Sequence, residues 1–392
     1  MTRWMGLDCH PASITAYILD DNQPKGRHLP FANTPEEWAA FDQDWVTSTT
    51  HCVLEASGGT WPLYDGLQAA GAAEVLVAHP LQVKAIAAAR VKTDKADAKT
   101  LAELGRAGLI PTVYVPTRQE RDLRALVARH VALTKEATAQ KNQLHAALRR
   151  QAVPYSHRRL DTLEGRAFLT QVCGELPAPE ALIVQGCLAI ADRLEAECQA
   201  VHAVLARTVQ DGDPAFREAV EVLMSQTGVG LLTAVALRAR LGDIRRFPTA
   251  RHVVSYLGLA PRVRNSGGTV RLGRIAKQGD GTCRFLLVQA AWAAVRGPGP
   301  LQDQFVRLRA RKGSKIAITA TARRLLVVLV ALLRTGRLHH QVNPTRLAIK
   351  RKAATTQALP YEAALERAFE RLARRAERVR RLSDAARTRH PA

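Results

Sequence analysis

The six cysteines, Cys9, Cys52, Cys173, Cys187, Cys198 and Cys283, include no CxxC pair and no regular spacing. That argues against a zinc ribbon or a disulfide framework and leaves reduced thiols in an intracellular protein. Cys198 and His202 lie one helical turn apart, but two ligands alone do not make a structural zinc site. Long apolar runs are missing as well. The longest, Leu325–Leu333, is bounded by arginines and falls far short of the roughly 20 residues that span a bilayer. No charged leader precedes the first apolar segment, so the expected location is cytoplasmic, beside the nucleoid, with no membrane partner.

Acidic residues are almost absent from one region. Residues 223–352 hold 25 Lys and Arg against 3 Asp and Glu, whereas residues 1–116 hold 9 against 13. The whole chain of 392 residues has a formal net charge of +22. Its positive field is therefore concentrated in its second half. Such a field calls for a polyanion, and nucleic acid is the partner it fits.

The texture of the chain predicts an α/β plus α protein. Trp4-Met5-Gly6-Leu7-Asp8 reads as a short strand, and Ser13–Leu19 as its antiparallel return. Residues 51–55 and 74–78 read as further buried strands, the first followed by a Ser57-Gly58-Gly59 turn and a helix from about Pro62 to Ala70. Thr93 is placed to cap a helix whose first turns contain Asp94 and Asp97. This α/β domain is expected over 1–116. A helical arm, either a coiled coil or a helical hairpin suited to dimer contact, follows over 117–222. A basic domain, mainly helical, occupies 223–344, and a basic helical tail occupies 345–392. The arginines of that tail read as a solvated face in preference to an RNA contact.

Asp8, Glu55, Asp94 and Asp97 come from three separate segments of the α/β domain, each where a strand ends or a helix begins. At i and i+3, Asp94 and Asp97 share a helix face. Asp8 and Glu55 directly follow apolar residues, and a buried carboxylate needs a cation or hydrogen bonds to balance it. Four oxygen ligands of this kind can hold two hard divalent ions that clamp a phosphodiester. The plainer reading makes Asp94 a helix-dipole partner and Asp97 a solvated neighbour.

In the basic domain, Thr227-Gly228-Val229-Gly230 before a helical stretch resembles a helix-hairpin-helix, with Gly228 and Gly230 letting the backbone approach a phosphate. Ser266 follows Arg262 and Arg264, is flanked by Gly267 and Gly268, and precedes Arg271, Arg274, Lys277 and Arg284. A nucleophilic serine needs exposure, room for a phosphate, and cations to stabilise developing charge, all of which a loop here offers. A Ser-Gly-Gly turn among phosphate-contacting arginines satisfies the same residues, and no general base lies nearby in sequence.

These stretches together resemble the DEDD transposases of the IS-one-ten insertion-sequence family. The resemblance is carried by Gly6-Leu7-Asp8, Leu54-Glu55-Ala56-Ser57-Gly58-Gly59, Lys92-Thr93-Asp94-Lys95-Ala96-Asp97-Ala98, Gly228-Val229-Gly230, Phe247-Pro248, Tyr256-Leu257-Gly258-Leu259-Ala260-Pro261, Ser266-Gly267-Gly268 and Lys277-Gln278-Gly279. It covers residues 4–110 and 223–295. What it implies is a RuvC/RNase H-like mixed sheet, a helical coiled-coil arm and a serine-bearing transposase domain. It also implies Mg²⁺ (or Mn²⁺) on Asp8, Glu55, Asp94 and Asp97, and attack by Ser266 on a DNA strand to give a phosphoserine. Donor and target DNA, a structured bridge RNA that guides them, and a dimer or tetramer with composite sites are the implied partners. The chain departs from the family pattern at Ala276, Asp280 and Cys283-Arg284; Asp280 puts a negative charge beside a phosphate-binding stretch. Two other readings are a Mg²⁺-dependent hydrolytic junction nuclease, and a non-catalytic DNA- or RNA-binding protein with structural carboxylates.

Overall fold

A computed structural model describes residues 2–23, 25–86, 94–155, 160–266 and 269–389. The chain divides into two compact units, Met1–Val115 and Pro116–Ala392.

The first unit is built on a five-stranded sheet. In chain order it contains β1 (Arg3–Cys9), β2 (Ser13–Asp20), β3 (Arg27–Ala32), α1 (Pro35–Trp45), β4 (Thr50–Glu55), α2 (Thr60–Ala69), β5 (Glu74–Ala78), α3 (Pro80–Ile86) and α4 (Asp94–Arg106). The strand order is β3-β2-β1-β4-β5, and β2 alone runs against the other four. Because side chains alternate along a strand, each strand feeds two faces. Met5, Leu7, Ile14, Ala16, Cys52, Leu54 and Val75 pack on Phe41 of α1 and on Leu63 and Leu67 of α2. The opposite face receives α4. There Gly6 is obligatory, since a Cβ would lie 2.0 Å from the Ala98 carbonyl oxygen. Helix α4 can approach this closely only because both sides present small residues. Strand β3 contains Pro30 and lies at the sheet edge, where a missing N–H is tolerated. The helix expected from Pro62 starts earlier, at Thr60, because the Gly58-Gly59 turn ends there.

The second unit is helical apart from one hairpin. It begins with α5 (Arg118–Arg150), α6 (Leu163–Glu175), α7 (Ala178–Asp211), α8 (Pro214–Met224), α9 (Leu231–Leu241) and α10 (Ala250–Tyr256). Strands β6 (Pro261–Ser266) and β7 (Thr269–Ile275) follow, then α11 (Gly281–Ala294), α12 (Pro300–Lys312), α13 (Ser314–Thr335), α14 (Pro344–Gln357) and α15 (Tyr361–Arg389). Thr117 and Glu120 form a reciprocal capping box at the start of α5. Helices α5 and α7 pack along one another, and α15 lies against α7 and α6. The largest core joins α5, α7 and α8–α14. By length and composition α13 could cross a membrane, but its stripe from Ala317 through Ala322 and Leu325 to Val330 is buried in that core. All six cysteines are free. Burial pushes the Cys52 thiol up to about 12, so it stays protonated and inert.

Candidate functional site

The register of the parallel pair β1–β4 joins Leu7 to Leu54, so Asp8 and Glu55 follow side by side at the carboxyl ends of adjacent strands. Both lie two residues beyond positions on the α4 face, Gly6 and Val53, and alternation puts them on that face too. Helix α4 runs antiparallel to β1. Near its C-terminus Gly105 rests on Trp4 and Val53, and near its N-terminus Ala98 rests on Gly6. The first turn of α4 therefore overlies the end of the sheet that carries Asp8 and Glu55. Asp97 adjoins the buried Ala98 and lies one turn before the buried Leu101, which places it toward the sheet.

The structure thus brings Asp8, Glu55 and Asp97 to one end of the sheet, from three segments. Asp94 is the first residue of α4; its side chain, and Thr93, lie outside the described residues. Among the described residues no group of three or more His, Cys, Asp or Glu side chains gathers closely enough to hold a metal ion. The donor set itself is all carboxylate oxygen, which suits a hard divalent ion. The Asp8 side chain is 14% exposed, with His10 Nε2 at 3.3 Å. The nearby Cys9 thiol is pushed up by burial and by the negative charge of Asp8.

Glu55 is positioned by a residue that sequence reasoning passed over. Thr60 is 1% exposed; its Oγ1 donates to the Glu55 carbonyl at 2.7 Å and accepts from the Ser57 amide at 2.7 Å. It ties the turn shut immediately behind Glu55. A lone threonine after Gly-Gly, at the start of a helix, was the available signal.

In the second unit, Ser266 ends β6 and is in register with Thr269, and Arg264 is in register with Arg271. The expected loop is therefore a β-hairpin. Alternation over Arg262–Ser266 and a two-residue Gly-Gly connection are hairpin signals that sequence reasoning read as loop. The side chains of Arg264, Ser266 and Arg271, and residues 267–268 altogether, lie outside the described residues. Arg262 donates to the Ala276 carbonyl at 3.3 Å, and Arg274 and Lys277 are exposed. Arg284 is engaged elsewhere, donating to the Leu257 carbonyl at 3.0 Å.

Two glycines explain the motifs around that hairpin. Gly258 has φ +69° and a Cβ there would lie 2.0 Å from the Gln278 oxygen; Gly279 has φ +99° and would meet the Tyr256 oxygen at 2.2 Å. The two backbone stretches press together, and Lys277, itself at φ +58°, is held on the outside. Asp280 caps α11 through the Cys283 amide at 2.7 Å and pairs with Arg240 at 3.3 Å. Its charge is thus balanced within the fold.

Gly228 and Gly230 behave differently. Gly228 has φ +87°, and a Cβ there would lie 2.3 Å from the Ala290 oxygen, so it meets α11. Gly230 caps α9, is exposed and has open space around it. Behind this turn Lys350 donates to the carbonyls of Met224 at 2.7 Å, Gln226 at 3.3 Å and Val229 at 2.7 Å. Nothing in the sequence distinguished Lys350 from its basic neighbours.

Comparison with known proteins agrees with this layout. The profile of the transposase IS116/IS110/IS902 family matches residues 220–307, and a DEDD transposase profile of the IS110 type matches residues 5–152. The chain is 30% identical over 256 residues to a probable family 20 transposase of Pseudomonas aeruginosa, covering 62% of this chain and 73% of that protein. The chain belongs to the IS116/IS110/IS902 transposase family. Other relatives of this transposase include y4qE of Sinorhizobium fredii, named as a transposase, at 29% identity over 61% of this chain and 57% of that protein. A pilin gene-inverting protein of Moraxella bovis is 26% identical over 85% of this chain and 96% of its own length. The match over residues 5–152 contains the carboxylates, and the match over residues 220–307 contains the serine hairpin. The protein is a DNA transposase/recombinase.

Proposed function

We propose that this transposase cuts and rejoins DNA through a covalent phosphoserine at Ser266, assisted by divalent ions on Asp8, Glu55, Asp94 and Asp97. The observation that carries the reading is the placement of Asp8, Glu55 and the first turn of α4 at the same end of the sheet. We read the first unit as RuvC/RNase H-like, a reading supported by the β3-β2-β1-β4-β5 order with β2 alone reversed. Bound Mg²⁺ (or Mn²⁺) lowers the pKa of the attacking hydroxyl and neutralises charge on the leaving oxygen.

The Ser266 Oγ–P bond forms as the P–O bond to the leaving strand breaks. A strand hydroxyl then attacks the phosphoserine, reforming a phosphodiester and returning the serine hydroxyl. One ester replaces another at each step, so no ATP is needed. The exposed Arg274 and Lys277, with Arg262, Arg264 and Arg271, hold the phosphates. Gly230 admits a phosphate to the start of α9. Sequence is read by base pairing with a structured guide RNA, since these cations recognise backbones and not bases. The enzyme acts as a homo-oligomer. Inversion, the activity named for the Moraxella relative, requires every cut strand to be rejoined and so favours this reading over hydrolysis.

The test is to incubate the protein with donor DNA, guide RNA and Mg²⁺, denature it, and sequence the peptide that remains bound to DNA. A phosphoester at Ser266 is expected. Cleaved DNA with no protein attached at any time point would overturn the proposal.

A further inference from the structure

The tail that the sequence reads as a solvated face is docked, and docking sorts its charges. Helix α15 buries Ala364, Ala368 and Val379 against its neighbours. At about 3.6 residues per turn, Arg367, Arg371, Arg374 and Arg378 form a separate stripe beside that buried one. Glu362, Glu366, Glu370 and Glu377 fall on the far side. Arg374 pairs with Glu370 and Arg375 with Glu195. Among the described residues Arg367, Arg371, Arg378 and Lys352 of α14 have no ion pair or hydrogen bond.

These free cations line two adjoining cavities. One, of about 800 Å³, lies among α5, α7, α14 and α15 and is lined by His130, Gln199, His202, Lys352, Arg367 and Arg371. The other, of about 640 Å³, shares Arg367 and Arg371 with it and continues to Arg378. Together they form a groove whose cationic edge runs about 16 Å along α15. Unpaired arginines held in a row beside a groove match a chain of phosphates better than they match a scatter of small anions.

The groove also contains groups that a purely accepting backbone would not satisfy. Gln199 Oε1 and His130 Nδ1 are buried with no hydrogen-bond partner among the described residues. Burial, with His202 alongside, holds the His130 imidazole down at about 4, so it is a neutral ring near pH 7. A DNA backbone brings only acceptors, whereas the RNA 2′-hydroxyl donates as well.

We propose that this groove binds RNA along its backbone, with Lys352, Arg367, Arg371 and Arg378 on phosphates and Gln199 taking a 2′-hydroxyl. The groove is lined by none of the serine-hairpin or carboxylate residues. RNA binding through α15 without any serine adduct would end the phosphoserine reading and leave this one standing.

The experiment measures binding of the full chain to a labelled RNA stem-loop, and to the DNA stem-loop of the same sequence, over a range of salt. In Arg367→Ala/Arg371→Ala/Arg378→Ala the slope of log K against log salt should fall by about 2–3 for RNA, because three phosphate contacts are lost. Arg380→Ala, on the face of α15 away from the stripe, should leave both slopes as they are. Gln199→Leu removes an acceptor without changing charge and should weaken RNA alone, by roughly two- to tenfold. An unaltered RNA slope in the triple variant, an effect of Gln199→Leu that is equal on RNA and DNA, or no effect of Gln199→Leu on RNA would overturn the proposal.

Discussion

Asp8 and Glu55 leave neighbouring parallel strands at the same level, each one residue beyond the paired Leu7 and Leu54. Two carboxylates side by side repel one another, and Asp8, with His10 Nε2 at 3.3 Å, is largely shielded from water, so a divalent cation between them would stabilise the arrangement.

That repulsion makes a prediction about stability as well as activity. Asp8→Asn and Glu55→Gln should each lower strand exchange by more than the roughly 10–100-fold that outer-shell changes cost metal sites. Neither should lower the melting temperature in EDTA. Mg²⁺ should raise the melting temperature of the parent by mass action and raise it less in Asp8→Asn. Melting curves with and without Mg²⁺ decide it; identical Mg²⁺ shifts in parent and variant would remove Asp8 from the ion site.

Much of this sheet was legible because its strands are short apolar runs ending in punctuation. Strands β1, β4 and β5 stop at or next to Asp8, Glu55 and His79-Pro80, and the β1–β2 return shows in the alternation of Ser13–Leu19. Edge strand β3 was not legible, because Arg27–Ala32 is half exposed and interrupted by Pro30. The carboxylates could be found as residues at strand and helix ends; their convergence depends on the Gly6–Ala98 contact, which no local pattern reveals. The same limit hid Lys350 and Thr60, whose roles are set by carbonyls they reach in three dimensions. It also made the arginines of α15 look uniformly solvated, since the buried stripe beside them is defined only once α7 is in place.

Gly228 and Gly230 separate packing from phosphate approach. Gly228→Ala would force a Cβ to within 2.3 Å of the Ala290 oxygen at φ +87°. It should cost on the order of 2–4 kcal/mol in urea unfolding. Gly230→Ala meets open space at φ −101° and should change stability by no more than about 0.5 kcal/mol. If the start of α9 receives a phosphate, Gly230→Ala should weaken DNA binding while the unfolding curve stays in place. DNA affinity equal to that of the parent would restrict this turn to a structural role.

His130 predicts an acid limb in the stability of the second unit. Its pKa is lowered from 6.5 to about 4, first by burial and then by His202. Between those values the unfolded chain binds a proton that the folded chain refuses, so stability is full above about pH 6.5 and falls as pH drops toward 4. The imidazole is partly exposed, so solvent screening reduces the effect to about 1–2 kcal/mol. His130→Gln should flatten the difference between urea midpoints at pH 7 and pH 5. An unchanged difference would assign the acid limb to other groups.

Lys350 closes the turn before α9 from behind. Its ammonium donates to the carbonyls of Met224, Gln226 and Val229, although burial, and then Arg346, pull its pKa down from the usual lysine value. Three charge-assisted bonds converging on one nitrogen hold α14 to the end of α8, where no backbone amide could serve all three oxygens. Lys350→Met keeps the volume and removes every donor, and should cost about 2–4 kcal/mol. Lys350→Arg should restore little, because a planar guanidinium spreads its N–H groups and cannot converge them on one point. Urea unfolding of the two variants checks this; full stability in Lys350→Met would mean that the three carbonyls are equally well satisfied without the ammonium.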